Sequence, residues 1–214
     1  MKKAIKKYKA LEKSDKIIVF LLFITFSNTI MAAVKFTVSL VLPSLWFFVN
    51  AIFNIILALA RIFSIRDYRK IRKQSNYEEK KRIALKNYVN NGILLILLGI
   101  SYFAVSVYMY YKGTNTTMHE YLTYLVALIA FYSIGSAIYG MCKYHKNNNA
   151  VLSAVKITSF ANALTSIVLT QVVLLDTYNT TNFDLRIANG CTGMGVSLVI
   201  MGLGLFMIIN SKKD

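Results

Sequence analysis

Six predominantly apolar runs, 17–34, 43–65, 88–111, 121–141, 151–175 and 188–209, take up most of this 214-residue chain. Each is close to the ~20 residues that a helix needs to cross the hydrocarbon core of a bilayer. With 56% hydrophobic residues and one proline, at a mean hydropathy of +0.51, the chain holds more apolar surface than a soluble domain of this size buries. The expected fold is an all-α integral membrane protein with six transmembrane helices over 17–210, preceded by a basic segment, 1–16.

Charge placement orients these spans. Seven lysines from Lys2 to Lys16 precede the first run, and a dense basic stretch from Arg61 to Lys86 surrounds the loop after the second. Lys143, Lys146, Lys212 and Lys213 fall on the same side, whereas the opposite side has Lys35, Lys112 and Arg186. Both termini are therefore expected in the cytoplasm of a cell-membrane protein. The net charge of +16 becomes chiefly a topology signal, and nucleic acid is not expected as a partner. Ala4, Ile5, Tyr8 and Leu11 stand at helical spacing among lysines, which reads either as a solvated basic tail or as a short helix on an anionic membrane surface. Ser75 and Glu78 have the form of a capping box, and Glu78 and Glu79 precede Lys81 and Arg82 at helix spacing. A helix beginning near Ser75 and running without a break into the third span is expected. Gly135 and Gly140 in the fourth span, and Gly190, Gly193, Gly195, Gly202 and Gly204 in the sixth, read as packing surfaces.

The fifth run is too polar to face lipid all round. Thr158, Asn162, Thr165 and Ser166, with Ser159 at the edge, fall at helical spacings of three and four and make one stripe. Unpaired polar groups are costly in hydrocarbon, so the stripe should face helices or a cavity. Candidate partners are Asn50 and Asn54, which share a face of the second span, and Asn90 with Asn91 about two turns below the inner end of the third helix. The nine acidic residues and two histidines fall in loops, tails or span ends, which leaves neither a midplane proton relay nor a metal site. Cys142 and Cys191 have no metal-ligand spacing, and no phosphate loop, nucleophile beside a histidine or Cys-x-x-Cys occurs. No catalytic residue, no metal and no cofactor is expected, and the chain does not read as an enzyme. Lys156 lies about one turn inside the fifth span; it either snorkels to the headgroups or lines a pore that favours anions. The amides and hydroxyls either bind a weakly held cation or polar solute, or bond one another as interhelical contacts worth about 0.6 to 2 kcal/mol each.

The order of these features resembles the transmembrane domain of the cation diffusion facilitator, or cation efflux, family. The local likeness is strongest in ITSFANALTSIVL, Ile157 to Leu169, which is similar to the family's fifth-helix segment. Thr158 and Asn162 occupy the positions of its ligand pair before Ala163, Leu164, Thr165 and Ser166, and Asn50 and Asn54 stand where the partner pair on the second helix falls. The resemblance implies a six-helix transporter acting as a homodimer in the lipid bilayer and moving divalent ions, usually by proton exchange. The pair positions here are amides and a hydroxyl, poor zinc ligands that do not exchange protons near neutral pH. The chain also ends a few residues after the sixth run, so the cytoplasmic domain usual in the family is not expected. The reading is a multi-pass, transporter-like protein that is not a zinc/proton exchanger and takes an unknown small cation or polar solute. Its candidate substrate-binding residues are Asn50, Asn54, Asn90, Thr158, Asn162 and Thr165. The alternative is a non-transporting membrane assembly or regulatory partner whose polar faces only pack the bundle. A more remote reading is that the basic inner loops bind anionic lipid or nucleic acid.

Overall fold

The computed structural model describes residues 45–113, 120–143, 150–178 and 184–212, with eight helical residues of the first run: Leu22, Thr25, Phe26, Thr29, Ile30, Ala33, Phe36 and Thr37. The segment 1–16 and most of the first expected span lie outside them. Five continuous helices run through the described residues: α1 (Leu45–Lys73), α2 (Tyr77–Lys112), α3 (Glu120–Lys143), α4 (Ala150–Tyr178) and α5 (Leu185–Asn210). No strand occurs among the described residues, so the chain is all-helical as expected. Among them α1, α2, α4 and α5 are long and apolar enough to cross a membrane, while α3 has a shorter apolar stretch, Thr123–Tyr139.

Helix ends follow local chemistry. α1 continues about two turns past its apolar part, and Lys70, Arg72 and Lys73 occupy its last turn, where cations suit the carbonyl end of the helix dipole. α2 begins one residue later than the capping box suggests. Asn76, not Ser75, is the N-cap: its side-chain oxygen accepts the Glu78 N–H at 3.0 Å. With 36 residues, α2 is about 54 Å long. That exceeds a bilayer's hydrocarbon thickness and leaves its charged first turns outside, beside the basic end of α1. α2 ends at Gly113, whose φ of 78° suits glycine and few other residues, and whose N–H donates to the Met109 carbonyl at 2.8 Å. At the start of α5, Asp184 accepts the Arg186 N–H at 3.0 Å.

The closest helix pair is α2 with α5, and small residues explain it. Gly92, Gly99 and Ser106 recur every seven residues on α2, as do Gly190, Ser197 and Gly204 on α5, so each set stays on one side of its helix. Gly92 faces Gly204, Gly99 faces Ser197 and Met201, Ser106 faces Gly193, and Tyr110 faces Gly190. Numbers rise on one helix as they fall on the other, so the pair is antiparallel. Gly135, Gly195 and Gly202, in contrast, face open space. Of the glycines expected to pack, these three do not: Gly135 belongs to α3, outside this seam, and Gly195 and Gly202 lie on a side of α5 turned away from α2.

α1 and α4 lie against α2 around a core of Phe53, Leu57, Leu95, Tyr102, Ala161 and Val168. α3 lies along α4, joined at one end by the Thr123 and Thr177 hydroxyls, 2.8 Å apart. Outward faces carry Leu97, Ile100, Leu128, Phe131, Leu198 and Phe206, all exposed, which is the surface that hydrocarbon solvates without cost.

Candidate functional site

Asn50 and Asn54 are buried on α1, as are Thr158, Asn162 and Thr165 on α4. Asn90 is not with them: it is exposed on α2, one residue from the buried Asn91. On a helix adjacent residues are about 100° apart, so only one of that asparagine pair can enter the interior.

Most of the buried polar groups close on their own helices. The Asn54 amide donates to the Asn50 carbonyl at 2.7 Å. The Thr158 hydroxyl donates to the Val155 carbonyl at 3.0 Å, and the Thr165 and Ser166 hydroxyls both reach the Asn162 carbonyl, at 3.0 and 2.9 Å. From α1, Phe53 makes an edge-to-face contact with Tyr102 of α2, ring centroids 5.7 Å apart.

The register between α1 and α4 comes from Arg61. Its guanidinium donates to the Thr158 carbonyl at 3.4 Å, and Ile65 and Tyr68 share a buried cluster with Val155, Leu152 and Val151. The helices are therefore antiparallel, with Arg61 level with Thr158. Continuing at this register brings Asn54 level with Thr165, and Thr158 lies about 10 Å further along the axis. Of these positions, Thr158 meets a polar side chain of α1, that of Arg61.

Arg61 is the residue that sequence reasoning missed, having counted it among the loop cations. It is 1% exposed, and a guanidinium stays charged under ordinary conditions. Its Nε has no hydrogen-bond partner, and no carboxylate pairs with it among the described residues. The signal was present: Asn50, Asn54, Leu57 and Arg61 follow one another at spacings of four, three and four, the period of one helix face. Lys156 lies two residues from Thr158, well round the helix, and is half-buried.

A second polar group ties α1 to α2. Asn91 donates to the Ser64 hydroxyl at 3.2 Å and to the Asn87 side-chain oxygen at 3.1 Å. The Ser64 hydroxyl sits 3.1 Å from that same oxygen, and the Asn87 amide donates to Asp67 at 2.8 Å. Asp67 is thus turned toward α2, away from the outer face of α1. Among the described residues no group of three His, Cys, Asp or Glu is placed to hold a metal ion.

Fold and interior together define an all-helical protein with, among the described residues, four helices fit to cross a membrane, one buried guanidinium and several buried amides. No protein-family model matches the chain, and no curated protein matches it.

Proposed function

We propose that this chain is a six-span membrane protein with cytoplasmic termini, on a scaffold resembling the cation efflux transporters, that takes a small anionic or polar solute in place of a divalent cation. Arg61 carries this reading. It lies level with Thr158, a position where the resembling family places an ion ligand, with one hydrogen bond engaged. Two unit charges 4 Å apart repel by about 4 kcal/mol at an effective dielectric of 20, and a divalent ion doubles that. The same fork of donors suits a carboxylate, a phosphate or a halide. Six spans are supported by the apolar sequence runs 17–34 and 121–141, and the orientation by the basic residues that the sequence places on one side of the runs.

A second reading, a non-transporting assembly or regulatory component, is favoured by the Thr158 and Thr165 hydroxyls of α4, which donate to carbonyls of their own helix. Flux into liposomes containing the purified protein separates the two. The expected result is protein-dependent flux of chloride, phosphate or a short carboxylate that Arg61→Met abolishes, and none of zinc. Zinc flux sinks the proposal. Absence of flux for every solute leaves the assembly reading.

A further inference from the structure

One face of α1 changes character along its length. Ile62, Ile65, Arg66, Arg69, Lys70 and Lys73 follow at spacings of three and one, so they form a single stripe that is apolar at one end and cationic at the other. Opposite it, Leu22, Thr25, Phe26 and Thr29 repeat the same spacing on the helical residues of the first run. Between the two stripes lies an open groove of about 560 Å³, lined by these ten residues.

We propose that this groove binds an anionic phospholipid, with acyl chain against Leu22, Phe26, Ile62 and Ile65 and headgroup phosphate on the cations from Arg66 to Lys73. Three observations converge on that occupant. First, the four cations lie within about 10 Å along the axis, are all exposed, and none forms an ion pair among the described residues. Mutual repulsion at that spacing is relieved by an anion. Second, among the described residues no acidic one lines the groove, and Asp67, the carboxylate nearest in sequence, accepts a hydrogen bond from the Asn87 amide of α2. Third, the cationic end continues directly into an apolar floor on a helix fit to cross a membrane, a sequence of surfaces that matches a lipid from headgroup to chain. A soluble polyanion would meet the cations but leave the apolar floor uncovered. Juxtamembrane cations of this kind bind anionic headgroups generally; the apolar groove below them is what makes a seat for one molecule.

The test is lipid retention by the full chain, purified in detergent and challenged with phosphatidylglycerol or phosphatidylcholine, read by native mass spectrometry. Phosphatidylglycerol is expected to stay bound at low stoichiometry where phosphatidylcholine does not. Arg69→Gln with Lys70→Gln should cut retention by roughly tenfold or more, from two lost headgroup contacts. Ile62→Trp fills the groove while leaving every charge in place, and should reduce retention to a similar extent. Helical content by circular dichroism confirms that each variant is folded; if Ile62→Trp is not, Ile65→Phe replaces it. Equal retention of both lipids overturns the proposal. So does unchanged retention in a folded groove-filling variant, since binding is then diffuse attraction to a basic surface. Displacement of the lipid by millimolar inorganic phosphate also overturns it, because the chain contacts then contribute nothing.

Discussion

Arg61 and Thr158 meet across the α1–α4 interface, the guanidinium donating to the backbone carbonyl oxygen at 3.4 Å. That carbonyl already accepts within its own helix, so the contact uses its second lone pair and is long for a charge-assisted bond. The interior thus keeps a charge whose desolvation is scarcely offset. A group retained at such cost is a candidate for work outside folding.

Replacing Arg61 by methionine tests that cost directly. Methionine matches the length and flexibility of the stem, removes the charge, and leaves the Thr158 carbonyl with its helical partner. The variant should be more stable by about 1–3 kcal/mol, as when a poorly compensated buried charge gives way to a packed apolar chain. Thermal unfolding in detergent, followed by tryptophan fluorescence, should show a raised midpoint. A lowered midpoint means that Arg61 is a structural tie.

The two asparagine groups should respond unequally to leucine. Asn87 serves Asp67, Ser64 and Asn91 at once, so Asn87→Leu leaves several buried groups short of partners and should cost about 1–3 kcal/mol. Asn54 donates to a carbonyl of its own helix, and Asn54→Leu should cost about 0.6 kcal/mol or less. Unfolding midpoints of the two variants, measured side by side, check the order.

Much of the architecture was legible because apolar length and helix periodicity are local properties. The extension of α2 beyond the membrane could be read from Glu78, Glu79, Lys81 and Arg82, which need nothing distant to stabilise a helix. Faces were legible too: Asn50 and Asn54 were assigned to one side of α1, and both are buried. Axial offset between helices was not. Whether Asn54 or Arg61 stands opposite Thr158 depends on how far α1 slides along α4, which is set by side-chain fit between chain segments far apart in sequence. The same limit applies to Asn90 and Asn91, where the sequence shows a pair and only the neighbouring helix selects Asn91. Arg61 was hidden for another reason. Lying next to a basic loop, it was counted with the charges there, although its spacing from Asn54 puts it on the buried face.

The cap of α5 should loosen in acid. Arg186 holds the Asp184 carboxyl below its ordinary range, chiefly through the side-chain hydrogen bond. A carboxyl with a lowered folded value contributes stability in full above its unfolded value, near pH 4, and loses it as the pH falls through the folded value. Amide exchange at Arg186 and Ile187, corrected for intrinsic rates, should therefore be flat from pH 7 to about pH 4 and become faster below. Asp184→Asn, which keeps the capping oxygen, should remove the acid dependence.

The α2–α5 seam gives the sharpest contrast between glycines on one helix. A Cβ on Gly204 would stand 2.6 Å from the Gly92 carbonyl oxygen, a backbone atom, and 2.8 Å from Ile96. Neither helix can relieve that by turning one side chain, so Gly204→Ala should push the pair apart and destabilise by about 1–3 kcal/mol, the usual cost of overpacking. Gly202 is two residues earlier and faces open space. There alanine adds no clash and removes glycine's penalty in a helix, for a gain of up to about 1 kcal/mol. Opposite shifts of the unfolding midpoint are expected from two substitutions of the same kind. If both lower it equally, close approach at Gly92 and Gly204 is not what holds α2 to α5.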